Sequence, residues 1–254
     1  MGIFDTHAHY DDAAFDEDRD SLLRSLPSAG VCGVLNAATN AASAKACLQM
    51  AETYPNFYAA VGVHPSDLDK ADNGIVETLA ALAGHSKAVA IGEIGLDYHY
   101  DTFPREVQQE WLRRQLELAH ELHLPVILHD REAHEDTLAL LRYYRPAGVV
   151  HCFSGSVEMM REVVALGLYI GLGGAVTFKN ARKPVEVAAA VPADRLLLET
   201  DAPYMAPVPY RGKRCDSTMI ARTAEVIAQI RGCTVDALLT QTEQNARAAF
   251  PKTA

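Results

Sequence analysis

Short apolar segments that recur at a nearly constant interval constrain the fold of this chain more than any other feature. Eight of them follow one another at about 32 residues, the usual length of one strand–helix unit in a (β/α)8 barrel. Several are apolar throughout, as strands of a parallel sheet covered on both faces should be. They begin near Gly2–Phe4, Val31–Leu35, Phe57–Val61, Ala88–Ile91, Pro125–Leu128, Gly148–Val150, Leu168–Leu172 and Arg195–Leu198. The pattern predicts an α/β fold, a (β/α)8 TIM barrel, formed as a single domain by residues 1–254.

The segments between these strands have the pattern of amphipathic helices, most clearly Pro104–Leu122. Its apolar side chains recur at steps of three and four residues, which predicts one face packed against the sheet. They are Val107, Trp111, Leu112, Leu116, Ala119 and Leu122. After the eighth strand, Ser217–Arg231 and Val235–Ala249 are expected to supply the last helix of the barrel and one extra helix.

The charge balance excludes some classes of function. The chain has 33 Asp and Glu against 23 Lys and Arg, a net charge of −10. This counts against a protein that coats nucleic acid or an anionic membrane through a global positive field, but it permits a small positive site. Half of the imbalance lies within Asp11–Asp20, where acids would suit the start of the first helix.

Location and redox state are also constrained. No stretch offers the roughly 20 continuous apolar residues of a membrane span, and no secretory leader pattern is visible. We therefore expect a cytoplasmic protein that does not associate with membranes. The cysteines show no close pair, which predicts reduced, mostly buried thiols rather than disulfides. They are Cys32, Cys47, Cys152, Cys215 and Cys233.

Side chains able to bind a metal or move a proton stand at the end of strand after strand. They are His7 and His9 after strand one, His64 after strand three, Glu93 after strand four, His129 after strand five, His151 after strand six and Asp201 after strand eight. Taken singly, each would more often be a hydrogen-bonded structural residue. Because all strand ends of a barrel converge on one face, the set predicts a metal site at that mouth.

The ligand types indicate two metals. Imidazoles and carboxylates together suit zinc, manganese, iron, cobalt or nickel better than an all-oxygen magnesium cage. Six protein ligands also exceed what one catalytic metal with an open position would have. A carboxylate can bridge two cations, and Glu93 lies on the middle strand of the set, so it is the expected bridge.

Seven segments together resemble the TatD family of metal-dependent deoxyribonucleases, which are amidohydrolase-like metallohydrolase barrels. They are DTHAH at Asp5–His9, VGVHP at Val61–Pro65, IGEIGLDY at Ile91–Tyr98, PVILHDREA at Pro125–Ala133, HCFSG at His151–Gly155, ETDAPY at Glu199–Tyr204 and RGKR at Arg211–Arg214. In this order they are specific to the family and cover nearly the whole chain. The first segment alone would mark only the wider superfamily.

The resemblance implies a role for each matching residue. One metal would be held by His7, His9, Glu93 and Asp201, and the second by Glu93, His129 and His151. His64 would contact the scissile phosphate, and Arg211, Lys213 and Arg214 would help to hold the nucleic-acid backbone. After its KR the chain has Cys215, Asp216 and Ser217 where the family commonly has Asn, an acidic residue and Pro, so the metal ligands transfer more directly than the substrate loop.

The function that the resemblance implies is hydrolysis of phosphodiester bonds by an exonuclease acting on DNA, single-stranded or at 3′ ends. Two divalent ions, Mg²⁺, Mn²⁺ or Zn²⁺, would activate a shared water, and Asp201 would orient that water and take its proton. A hydrolase of an amide, ester or lactone, or of a small phosphorylated compound, is the alternative, since the same metals polarise a carbonyl. A non-catalytic metal-binding protein is disfavoured because every expected ligand is present. No protein partner is inferred.

Overall fold

Eight parallel strands, each hydrogen-bonded to the next in sequence, form the sheet of the computed structural model, which describes residues 2–72, 74–100 and 102–254. The strands are β1 (Ile3–Ala8), β2 (Val31–Ala37), β3 (Phe57–Val61), β4 (Ala88–Asp97), β5 (Val126–Arg131), β6 (Gly148–Val150), β7 (Tyr169–Leu172) and β8 (Leu196–Leu198). A bridge between Ala8 and Ala202 joins β1 to the segment that follows β8. The predicted (β/α)8 barrel and all eight strand positions are confirmed.

Helices cover the outside of this barrel. They are α1 (Arg19–Ser25), α2 (Ala41–Thr53), α3 (Ile75–Ala83), α4 (Arg105–Glu121), α5 (His134–Tyr144), α6 (Val157–Ala165), α7 (Arg182–Ala190), α8 (Ile220–Arg231) and α9 (Val235–Ala249). Both helices expected after the eighth strand are present, the first of them preceded by a 3-10 turn at Ser217–Met219.

Apolar side chains fill the interior of the barrel at its amino-terminal end. Phe4, Leu35, Ile127 and Leu197 form a buried cluster with Phe250, which follows α9. A larger apolar layer lies between the strands and the surrounding helices. Because apolar side chains fill the amino-terminal half, polar side chains inside the barrel are gathered toward the carboxyl ends of the strands.

Helix α4 packs against the barrel with part of its predicted apolar face and with two polar side chains. Leu112, Leu116 and Ala119 are buried as predicted, and Gln108 and Gln115 are buried with them. Val107 and Leu122, expected on the same face, are 38% and 37% exposed, so the prediction is wrong for these two. Gln108 binds the backbone of Asp97 at the end of β4, and Gln115 binds the backbone of Val63 just after β3. Both glutamines are buried because a buried backbone group needs a partner.

The five cysteines are free thiols in different environments. Cys47 and Cys215 are buried, Cys32 and Cys152 are half-buried, and Cys233 is exposed. The expectation of mostly buried thiols holds for two of them. Among the helices of the described residues, none has the length and apolar character needed to cross a membrane.

Candidate metal centre

The seven side chains predicted from strand ends converge at the carboxyl-terminal mouth of the barrel. Three compact groups of donor atoms, each group within 4.8 Å, are His7, His9 and Asp201; His7, Glu93 and His151; and His64, Glu93 and His129. Glu93 was expected after strand four but lies inside β4, which continues to Asp97 with a register shift between Ile91 and Ile94. The added residues pair with β5 as far as Asp97 and Arg131, so the sheet itself continues toward the mouth.

The first cluster consists of His7 in β1, His9 just after β1 and two carboxylates. Period-two spacing points both imidazoles to the same side, so that Nε2 of His7 lies 3.0 Å from Nε2 of His9. Oε2 of Glu93 is 3.3 and 3.4 Å from these two atoms, and Oδ1 of Asp201 is 3.7 and 3.4 Å away. Donor atoms around an ion at about 2.1 Å are roughly 3.0–3.4 Å apart, so this group fits a cation.

The second cluster forms around the other oxygen of Glu93. Oε1 lies 2.7 Å from Nε2 of His151 and 2.8 Å from Nδ1 of His129, and those two nitrogens are 3.3 Å apart. The rings of His7 and His151 stack at 3.8 Å and link the two clusters. One carboxylate therefore presents one oxygen to each cluster, which is the arrangement that a bridging ligand requires.

Hydrogen bonds on the far side of two imidazoles leave their near nitrogens available as ligands. Nδ1 of His9 donates to the carbonyl of Ala37 at 2.8 Å. Nε2 of His129 donates to Oδ2 of Asp97 at 3.3 Å. A neutral imidazole has one donor and one acceptor nitrogen, so these bonds direct the lone pairs of His9 Nε2 and His129 Nδ1 into the site.

His64 has the opposite arrangement. Its Nδ1 accepts the backbone N–H of Ser66 at 3.1 Å, so the ring proton of the neutral imidazole lies on Nε2. That nitrogen faces the site, 3.5 Å from Oε1 of Glu93. Burial lowers the pKa of His64 to about 4, which keeps the ring neutral at pH 7. His64 therefore offers a hydrogen-bond donor where His9 and His129 offer a lone pair.

The charges of the site require positive partners. Burial alone would raise the pKa of Glu93. Neighbouring His151, His64 and His7 instead hold this pKa well below its usual value. Burial alone would lower the pKa values of His9 and His129. The nearby carboxylates instead raise the pKa of His9 well above its usual value and the pKa of His129 to about 9. Without a metal, protons on these two histidines neutralise the buried carboxylates, and a bound cation would take over that role.

Asp201 is held in place by the backbone that surrounds it. Its φ of 68° lies in the left-handed region, which is uncommon for a residue other than glycine, and its N–H donates to the carbonyl of His7 at 2.9 Å. Burial alone would raise the pKa of Asp201. The hydrogen bond from His9 and the charges of the neighbouring histidines lower this pKa instead. The side chain is 21% exposed, against 3% for Glu93, so Asp201 is the site carboxylate that solvent reaches.

Three buried carboxylates that support the site were missed in the sequence. Asp5 accepts hydrogen bonds from the N–H and hydroxyl of Thr200 and from the hydroxyl of Ser217, and these tie β1 to the segments after β8. Burial raises the pKa of Asp5 to about 6, and these hydrogen bonds oppose the rise. An acidic residue inside an otherwise apolar strand was the available signal, since it must find several donors.

Glu199 and Asp97 are the other two. Glu199 accepts the N–H of Cys152 and lies 3.8 Å from Nδ1 of His151, behind the second cluster. Burial raises the pKa of Glu199 to about 7. A side chain at Gly171 would collide with Oε2 of Glu199, which accounts for a glycine there. The ETD and GLD motifs contain both acids, but their partners are distant in sequence.

The basic loop after Asp201 is Arg211–Arg214. One of its cations is held by an ion pair, and in the part of the chain that the structure describes the other two are not. Arg214 forms a two-pronged ion pair with Asp18, both contacts at 2.7 Å, and its guanidinium lies 4.8 Å from the ring centre of Phe15. Asp18 thus holds this loop and does not cap α1. Among the described residues, neither Arg211 nor Lys213 has an ion-pair partner. The geometry favours a tethering role for Arg214 over the expected direct contact with substrate.

A cleft of about 420 Å³ opens beside Asp201 and includes this loop. It is lined by Asp12, Ala14, Phe178, Pro203, Tyr204, Met205, Ala206 and the four residues Arg211–Arg214. The guanidinium carbon of Arg211 lies 3.9 Å from the ring centre of Phe178. The two uncommitted cations therefore line the same cleft as Tyr204, whose backbone N–H donates to the carbonyl of Asp201.

Comparisons with known proteins agree with this geometry. The family model described as TatD related DNase matches residues 4–251. YabD of Bacillus subtilis (strain 168), named an uncharacterized metal-dependent hydrolase, is 38% identical over 251 residues, 98% of each chain. A protein of Erwinia amylovora named 3′-5′ ssDNA/RNA exonuclease TatD is 36% identical and covers 98% of this chain and 99% of its own. The crystal structure of YjjV, a TatD homolog from Escherichia coli K12, superposes with a TM-score of 0.93 at 37% identity over 98% of each chain.

Proposed function

Because the chain belongs to the family of TatD-related DNases, we propose that it is a metal-dependent nuclease that removes nucleotides from the 3′ end of single-stranded DNA. The resemblance noted in the sequence motifs is confirmed by the family match over residues 4–251. One observation carries the proposal. The two carboxylate oxygens of Glu93 face two different donor clusters, beside a cationic cleft.

The donor set supports a division of the ligands between two metals. His7, His9, Glu93 and Asp201 would hold one ion, and Glu93, His129 and His151 the other. Two divalent ions there would supply a water of lowered pKa and positive charge for the phosphoryl oxygens. The nitrogen-rich donors favour Zn²⁺ or Mn²⁺ over Mg²⁺.

Asp201 is the residue we assign to the proton of the attacking water. It is ionised at neutral pH and reached by solvent, whereas Glu93 is enclosed. A carboxylate so placed can orient a water and accept its proton as the bond to phosphorus forms. Glu93 contributes by keeping the two clusters at a fixed separation.

Substrate contacts would come from His64, which faces the clusters, and from the two cations that line the cleft. His64 would donate from Nε2 to an oxygen of the scissile phosphate, a role that suits its tautomer better than metal ligation. Arg211 and Lys213 would bind a neighbouring phosphate by charge-assisted hydrogen bonds. Arg214 would keep that loop in register through Asp18.

A carbonyl hydrolase could use the same metals, so the test compares substrates. Purified protein is stripped, reloaded with Mg²⁺, Mn²⁺ or Zn²⁺, and given single-stranded and duplex DNA labelled at the 5′ end, beside ester, lactone and amide panels. The proposal predicts a ladder that shortens from the 3′ end, faster on single strands. Turnover of an ester or amide with intact DNA would contradict it.

A further inference from the structure

One aromatic ring at the edge of the cleft is both exposed and fixed. Tyr204 is 55% exposed. Its hydroxyl donates to Oδ2 of Asp12 at 2.8 Å, and its backbone N–H donates to the carbonyl of Asp201 at 2.8 Å. A flat apolar surface is thus held at both ends, three residues from a predicted metal ligand.

Another part of the cleft lining, the loop Arg211–Arg214, is cationic. The guanidinium of Arg211 lies over Phe178 at 3.9 Å, which orients this cation by a cation–π contact. Lys213 adds a second charge, and the Arg214–Asp18 pair fixes the loop that carries both. The volume, about 420 Å³, falls within the range of about 300–1,000 Å³ typical of small-molecule sites.

This combination points to one kind of occupant. An exposed ring beside a cationic loop is the arrangement by which proteins bind single-stranded nucleic acid, with bases stacked on aromatic side chains and phosphates on basic ones. A base within a duplex is covered on both faces by its neighbours and cannot reach such a ring. An acidic protein segment would satisfy the charges but would leave the ring of Tyr204 without a partner.

We propose that the cleft is a subsite for one unpaired nucleotide next to the scissile phosphate, with its base stacked on Tyr204 and its phosphate held by Arg211 and Lys213. The proposal rests on the proposed nuclease function and extends it. The subsite makes an unpaired base part of what the protein recognises, in addition to the phosphodiester itself.

Binding to the metal-free protein tests the subsite without the reaction. Fluorescence anisotropy in EDTA at low salt compares labelled dT8 with the same oligomer in which tetrahydrofuran spacers replace every base. Wild type should bind dT8 about tenfold more tightly, because stacking is worth that much per base. Tyr204→Leu should bind both oligomers equally, and Tyr204→Phe should retain most of the preference because it keeps the ring.

Tyr143→Leu is the matched control, since Tyr143 is 80% exposed on α5 and does not line the cleft. It should bind both oligomers as wild type does, and thermal melting should show that every variant is folded. An equal affinity of wild type for the two oligomers, no measurable binding of either, or an unchanged preference in Tyr204→Leu overturns the subsite. If reloaded wild type degrades DNA in that case, the subsite alone fails. If it degrades none, the proposed function fails as well.

Discussion

At the scale of single residues, Asp201 combines two properties that suit a group exchanging a proton with water. Its backbone is in the left-handed region, and its carboxylate is the more exposed of the two acids that face the clusters. Unfavourable backbone conformations persist where the surrounding structure enforces them, and they concentrate at functional sites. Here the hydrogen bond to the carbonyl of His7 enforces the conformation.

Asp201→Asn should therefore separate catalysis from binding. The amide keeps an oxygen for the first cluster but cannot take a proton. We expect kcat on a 3′ end to fall about 10²–10⁴-fold, while the second metal remains bound. Rapid-quench assays and metal analysis of the same sample check this. Near-normal turnover would contradict the proton-transfer role.

A second prediction at this scale concerns pH. In the metal-free protein the raised pKa values of His9 and His129 mean that both hold an extra proton at pH 7. A metal must displace these protons, so its apparent Kd should rise as pH falls, by about tenfold per pH unit for each proton released. Titration calorimetry in two buffers of different ionisation enthalpy measures the release directly. Heats that do not depend on the buffer would contradict it.

At the scale of elements, helix α4 positions two strand ends through its buried glutamines. Gln108 accepts the N–H of Asp97 at 2.8 Å and donates to its carbonyl at 2.9 Å. Gln115 makes the same pair of bonds with Val63, at 2.7 and 3.1 Å. Asp97 in turn orients His129, and Val63 precedes His64, so one helix face supports both a metal ligand and a substrate contact.

Replacing each glutamine with leucine should give different results. Gln108→Leu should weaken metal binding about 10–100-fold, because Asp97 no longer holds His129. Gln115→Leu should act at Val63 and chiefly raise KM. Each change should also cost about 1–3 kcal/mol for every buried backbone group left without a partner. Chelator competition, kinetics and melting measure these effects, with exposed Gln229→Leu on α8 as control. Equal effects of both variants on metal binding would contradict this division.

The strands and helices also show which structural features the sequence predicts. The apolar runs located all eight strands, because burial on both faces leaves a continuous signal. They did not give the carboxyl end of β4 or the inner face of α4, where Glu93 and Gln108 are polar and buried. The partner of Arg214 was equally hidden, since Asp18 lies 196 residues away. Such pairs depend on tertiary contacts that no local pattern records.

At the scale of the whole molecule, stability and function occupy opposite ends of the barrel. Phe250 and its neighbours fill the amino-terminal end, and the charged side chains gather at the mouth. The net charge of −10 does not oppose a polyanion there as strongly as its size suggests. Asp18 is paired with Arg214, and the charges of Arg211 and Lys213 exceed that of Asp12, so the cleft lining has a net positive charge. That the chain forms one domain remains a prediction.

The central claim is that one carboxylate, Glu93, joins two metal sites. Metal content per chain, measured by mass spectrometry after reloading and gel filtration, tests it most directly, with circular dichroism to verify folding. Glu121→Ala removes an exposed carboxylate of α4 and is the control. Wild type and control should hold two ions per chain, and Glu93→Ala should lose both. A folded Glu93→Ala protein that still holds two ions would contradict the account.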